Sequence, residues 1–228
     1  MKRQYFTIDD FYDYLCSKNM DVAFSKNDNK VFVVHALGTT SIDYSDKRKF
    51  SEDGEDNKGL VPVTVKACHI GMNRNHSFIS EEVMKKNMDT LKNRPILAHV
   101  IDLDDGGKDF HAHDIEEDAN EEGHFKFIER PIGIIPESND AKLEYDQEFD
   151  KTYLVSKGFI YETYAEEEEK ILEAKGGETK VSVEIAITDM AFNAKEKYLE
   201  IKDFYFDGVT CLGSEEDGTE IEEGMLGS

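Results

Sequence analysis

No stretch of this 228-residue sequence approaches the roughly 20 consecutive apolar residues that cross a bilayer. Met1-Lys2-Arg3-Gln4-Tyr5 leads into acidic and aromatic residues instead of a signal-peptide core, so the expectation is a soluble, cytoplasmic chain without a membrane segment. Basic charge is also scarce. Lys and Arg number 27 against 50 Asp and Glu, a formal charge of -23. A nucleic-acid backbone is bound by clustered Lys and Arg, so nucleic acid is not expected as a partner. Cysteine is scarcer still. Cys16, Cys68 and Cys211 are odd in number, widely spaced and without a C-x-x-C pair, which argues against a disulfide framework or a thiolate zinc site and leaves ordinary reduced thiols.

With 39% hydrophobic residues the chain can bury a substantial core, and its length suits one domain with decorations. Residues 1–60 supply an N-terminal helix, a strand and an acidic loop that belong to the same unit. Residues 61–213 form the main domain and 214–228 an acidic tail. Thr7-Ile8-Asp9-Asp10 has the form of a capping box, with Ile8, Phe11, Tyr12 and Leu15 at helical spacing behind it. Residues 31–37 read as a buried strand and 39–59 as a mobile loop. Alternation at Val61, Val63, Val65 and Ala67 predicts the next strand, to about residue 70, before Asn73-Arg74-Asn75 turns the chain. Ser80 caps a helix over 81–92, and 95–100 is a strand. From Asp102 to His124 the sequence is too polar for core and reads as one long functional or disordered loop. Strands follow around Pro131 and over 152–161. A helix over 166–174 ends at Gly176-Gly177, with Glu166 to Glu169 as its solvated first turn. Residues 180–187 and 198–206 form partner strands, the second continuing through a bulge near Asp207. The strand count and short hairpins predict an α+β fold, a strongly bent or barrel-like, mainly antiparallel β-sheet with flanking helices.

In the segment Lys180-Val181-Ser182-Val183-Glu184-Ile185, strand geometry puts Val181, Val183, Ile185 and Ile187 on one face and Ser182, Glu184 and Ala186 on the other. A serine there becomes a nucleophile if a histidine comes within hydrogen-bond reach to act as base. His113, in Phe110-His111-Ala112-His113-Asp114, is the candidate. Each residue has a plainer explanation: a surface-loop histidine, a solvent-facing strand serine. His99, His111 and His124 among the carboxylates also suggest a zinc or manganese shell, although the spacing fits no H-E-x-x-H motif. Cys68 beside His69 reads as a buried, inert thiol, and His35 and His69 as sheet histidines.

The order of these segments resembles that of the tailed-phage prohead maturation proteases, whose fold is shared with the herpesvirus assemblins. In those proteases a His-Asp pair precedes a Pro-Ile-Gly turn, matched by His113-Asp114 ahead of Arg130-Pro131-Ile132-Gly133 after an acidic insertion. Their nucleophile follows a helix and a glycine in a small-Ser-apolar strand, matched by Gly176-Gly177 leading to Val181-Ser182-Val183. Their closing strand carries an acid before a Val-Ser-like pair, matched by Asp207-Gly208-Val209-Thr210. Cys68-His69-Ile70-Gly71-Met72-Asn73-Arg74-Asn75 through Pro95-Ile96-Leu97 resembles the opening half of Gram-positive phage versions.

The resemblance implies His113 as base, with His111 as fallback, Ser182 as nucleophile and Asp207 as the acid that orients the imidazole. Glu184, on the strand face of Ser182, is the alternative acid. It further implies a serine endopeptidase that needs no cofactor, packaged in the immature capsid in the host cytoplasm. Its substrates would be the major capsid protein and the scaffold protein, with possible self-association and self-cleavage. Many relatives continue into a scaffolding segment, so a tail without a scaffold-like helix points to truncation, self-processing or a separate scaffold. Two other classes compete. An inactive scaffold or internal structural protein would be indifferent to loss of Ser182. A metal-dependent hydrolase built on residues 99–124 would be abolished by chelation, to which the serine reading is indifferent.

Overall fold

The computed structural model describes residues 59–117 and 125–221, together with the N-terminal strands Gln4–Thr7, Val22–Phe24, Phe32–His35 and Thr39–Asp43. The expected capping-box helix, His124, Cys16 and the end of the acidic tail lie outside the described residues. A curled, mainly antiparallel sheet carries two short helices, in keeping with the expected α+β architecture. Starting at Glu178–Asn193, the pairing runs through Thr39–Asp43, Leu60–His69, Lys151–Tyr161, Arg130–Ile135, Arg94–Ala98 and Tyr198–Leu212. The last of these pairs back onto Glu178–Asn193, so the ladder of hydrogen bonds closes into a ring. Among the described residues only the pairings of Gln4–Thr7 with Phe32–His35, and of Tyr198–Leu212 with Arg94–Ala98 and Ser77–Ile79, are parallel.

Alternating apolar residues fill the core. Val61, Val63 and Val65 pack with Ile96, Ile160, Val181, Val183, Ile185, Phe204 and Phe206, all nearly inaccessible to solvent. In the Glu178–Asn193 strand both faces are covered from Val181 to Ile187, so Ser182, Glu184 and Ala186 are buried as well. Cross-strand backbone comes unusually close at Gly133. A Cβ there would stand 2.2 Å from the Phe159 carbonyl oxygen, so only glycine allows the two strands to meet.

The helices form where their caps dictate. Ser80 accepts the Val83 amide and starts Glu81–Asn87, which tightens into a 3-10 turn over Met88–Leu91. Helix Glu166–Ala174 stops in a Schellman arrangement, in which Gly176 adopts φ +84 and the Gly177 amide donates to the Leu172 carbonyl.

Several expectations are corrected. Residues 39–43 are a strand, not the start of a loop, because Thr39–Asp43 pairs with Glu178–Asn193 and with Leu60–His69. The expected single loop over 102–124 is interrupted by strands Lys108–Phe110 and Ile115–Glu117, which pair antiparallel with Val100–Asp102 and Phe125–Phe127. Pro131-Ile132-Gly133 lies within a strand and bends it by a register shift, so it is no turn. Glu168 is not solvated with the rest of its helical turn. It is fully buried, and the Arg130 Nε donates to it at 2.9 Å.

Candidate functional site

The covered polar face of the Glu178–Asn193 strand meets the segment that carries His113. His113 Nδ1 lies 3.4 Å from Glu184 Oε1 and 3.6 Å from Glu129 Oε1, in a pocket that leaves all three side chains at most 8% exposed. The sheet places each carboxylate. Thr210, opposite Ser182 in the ladder, donates its hydroxyl to Glu184 Oε1 at 2.8 Å. Gly208, opposite Glu184, leaves room for it, since a Cβ there would stand 3.0 Å from Glu184 Oε2. Glu129 Oε1 in turn accepts the backbone amide of Asp114 at 2.9 Å, which fastens the His113 segment to the residue preceding strand Arg130–Ile135.

Burial alone would pull the His113 imidazole down, but the two carboxylates more than offset it and push it up to about 9. In this arrangement the ring sits between two acids that favour its charged form.

Ser182 lies on the same strand face as Glu184, two residues away, and is 1% exposed. Its Oγ has no hydrogen-bond partner among the described residues. The structure thus brings His113 and Glu184 into contact and Ser182 onto their face, with no hydrogen bond between Ser182 and His113. Asp207 stands in the bulge. Glu184 pairs with Gly208 and Ile185 with Phe206, so the ladder passes over it, and its carboxylate lies 3.7 Å from Arg94. Of the two acids that the sequence offered, Glu184 is the one whose carboxylate reaches His113. Glu129 was not anticipated, and a lone acid between Ile128 and Arg130 gives no periodic signal that it turns inward.

His111, the fallback base, is in a second cluster. Its Nδ1 lies 2.7 Å from Asp114 Oδ2, which His99 Nδ1 also contacts, and its Nε2 lies 3.1 Å from Glu215 Oε2. Burial lowers its affinity for a proton, and Asp114 and Glu215 outweigh that and raise it. The base of this region is anchored by buried Asp109, which accepts from the Lys175 ammonium at 2.8 Å and from the Ser214 hydroxyl at 2.7 Å. His69 behaves as a sheet histidine, with Nδ1 2.9 Å from the Ile70 carbonyl and a pKa lowered by burial.

Among the described residues no helix is long and apolar enough to cross a membrane. Residues 59–225 match the family model described as the YonD N-terminal domain. No curated protein and no solved structure matches the chain.

Proposed function

The chain belongs to the YonD N-terminal domain family, and from that premise we propose that it is a serine endopeptidase of phage prohead maturation. The family's phage association supports the setting, and the segment order resembling the prohead proteases supports the chemistry. The observation that carries the reading is the buried, unpartnered Ser182 hydroxyl on the strand face whose Glu184 carboxylate holds His113. A buried hydroxyl without a partner costs stability, and such costs concentrate where function requires them.

In the proposed reaction His113 accepts the Ser182 proton as Oγ attacks a backbone carbonyl of the substrate. The C–N bond breaks, the proton passes to the departing amine, and water then hydrolyses the acyl-enzyme by the same route. Glu184, with Glu129 behind it, orients the imidazole. The described geometry is a resting one, in which the acids favour the charged ring, so the imidazole must give up that proton and turn toward Ser182 before it can act as base. Assembly inside the immature capsid, with scaffold and major capsid proteins as substrates, would supply the trigger.

The test is co-expression of wild type and Ser182→Ala with the capsid and scaffold proteins encoded beside it, read by intact mass. Cleavage lost in the variant alone establishes the nucleophile, and cleavage that persists in the variant ends the proposal. The open Ser182–His113 geometry also favours a second reading, a scaffold or internal protein that keeps the fold without the chemistry. It predicts unprocessed partners with either chain.

A further inference from the structure

We propose that His99, His111 and Asp114 form a binding site for a divalent transition-metal ion of the zinc class, with Glu215 as the outer carboxylate that orients His111. The proposal rests on its own geometry and not on the serine reading. One ligand atom from each of the three residues lies within 4.8 Å of the others. Both histidines turn Nδ1 toward the same Asp114 oxygen, His111 at 2.7 Å. On the far side of its ring, His111 Nε2 meets Glu215 Oε2 at 3.1 Å. Without an ion these contacts are hydrogen bonds to Asp114; a cation that displaces the shared protons would meet one Nδ1 from each histidine and the Asp114 carboxylate, while Glu215 takes the Nε2–H of a neutral His111. A carboxylate bonded to the outer nitrogen of a ligating histidine is the usual means of fixing its tautomer and ring orientation.

The backbone holds the ligands in advance. His99 directly follows strand Arg94–Ala98, and its carbonyl accepts the His111 amide at 2.9 Å across the mouth of the Val100–Phe110 hairpin. The Asp114 carbonyl accepts the Ile128 amide at 3.1 Å, and the Asp114 amide donates to Glu129. The three side chains are between 21% and 27% exposed, which leaves room for water or a further ligand to complete a tetrahedral shell. Two imidazoles and one carboxylate suit zinc and its neighbours, whereas magnesium and calcium prefer oxygen alone. The neighbouring His113, Glu129 and Glu184 atoms also converge. That group is enclosed, however, and its acids are committed to the Asp114 amide and the Thr210 hydroxyl. An ion at the outer cluster would tie both flanks of His113 to the Glu215 segment, a clasp that takes no part in bond breaking.

The full chain, stripped with chelator and dialysed, is titrated with zinc chloride by calorimetry, and the bound metal is measured by mass spectrometry. A single equivalent is expected, lost in His99→Ala and in His111→Ala, weakened about 10–100-fold in Glu215→Gln and kept in Glu184→Gln. Circular dichroism checks that each variant is folded, and cobalt absorption displaced by zinc reports the site in unmodified protein. Absence of stoichiometric zinc in wild type, or full binding by the His99→Ala and His111→Ala double variant, overturns the proposal. Loss in Glu184→Gln with retention in His99→Ala would move the ion to the inner cluster and overturn it equally.

Discussion

Ser182 and Thr210 face each other across the longest strand pair, and deleting their hydroxyls should shift stability in opposite directions. The Thr210 hydroxyl donates to Glu184 at 2.8 Å, while Ser182 Oγ is buried with no partner among the described residues. Leaving a buried hydroxyl unpaired costs about 1–3 kcal/mol. Ser182→Ala removes that penalty and leaves a void no larger than one oxygen, so a net gain of about 1 kcal/mol is expected. In a chain of this size 1 kcal/mol is worth about 2–4 °C, so the variant should melt about 2–4 °C above wild type. Thr210→Val keeps the shape but takes a donor from a charged acceptor, which costs about 1.5–3 kcal/mol and lowers the melting point by about 3–12 °C. The assay is thermal unfolding followed by far-ultraviolet circular dichroism, at matched concentration and neutral pH. If Ser182→Ala melts several degrees below wild type, the hydroxyl is hydrogen-bonded in solution and the reasoning fails.

Three further outcomes are expected. Glu184→Gln should slow processing by roughly 100-fold or more, while Asp207→Asn leaves it within a few-fold, because Glu184 reaches His113 and Asp207 meets Arg94. The opposite ranking would return the orienting role to Asp207. Gly133→Ala places a methyl 2.2 Å from the Phe159 carbonyl, a backbone atom that cannot yield without parting two strands. The urea midpoint should fall by the equivalent of about 3 kcal/mol, and an unchanged midpoint would show that the strands are not in register there. Cys68 and Cys211 are buried free thiols, and burial pushes Cys68 up to about 12 and Cys211 upward as well. Ellman's reagent should therefore leave both unreacted in the native protein and titrate them only after denaturation, whereas rapid native labelling of either would contradict the packing.

The elements that announce themselves by period or punctuation were legible in the sequence. The alternation at Val181, Val183 and Ile185, the Ser80 cap and the Gly176-Gly177 stop all lie where their chemistry puts them. The acid beside His113 was harder to choose, because one bulged residue shifts every later side chain to the other face of a strand. The bulge at Asp207 falls between Phe206 and Gly208, and nothing in a period of two reveals it. Thr39–Asp43 looked like a loop because it is short and polar, and its pairing is decided by partners far along the chain. Glu168 and Glu129 were missed for one reason: a buried acid is recognised by what it meets, here Arg130 and the His113 segment, and neither meeting is local in sequence.

The ring of strands also bears on synthesis. Tyr198–Leu212 is the stave that joins Arg94–Ala98 to Glu178–Asn193, and it comes last in order from the ribosome. A nascent chain that ends before residue 198 already holds His113, Glu129, Ser182 and Glu184, but it has no Thr210 to steady the carboxylate and no strand to close the wall behind it. The site therefore cannot take its described form until Tyr198–Leu212 has emerged. Translation itself delays the assembly of this buried histidine–carboxylate site until almost the whole matched domain has emerged.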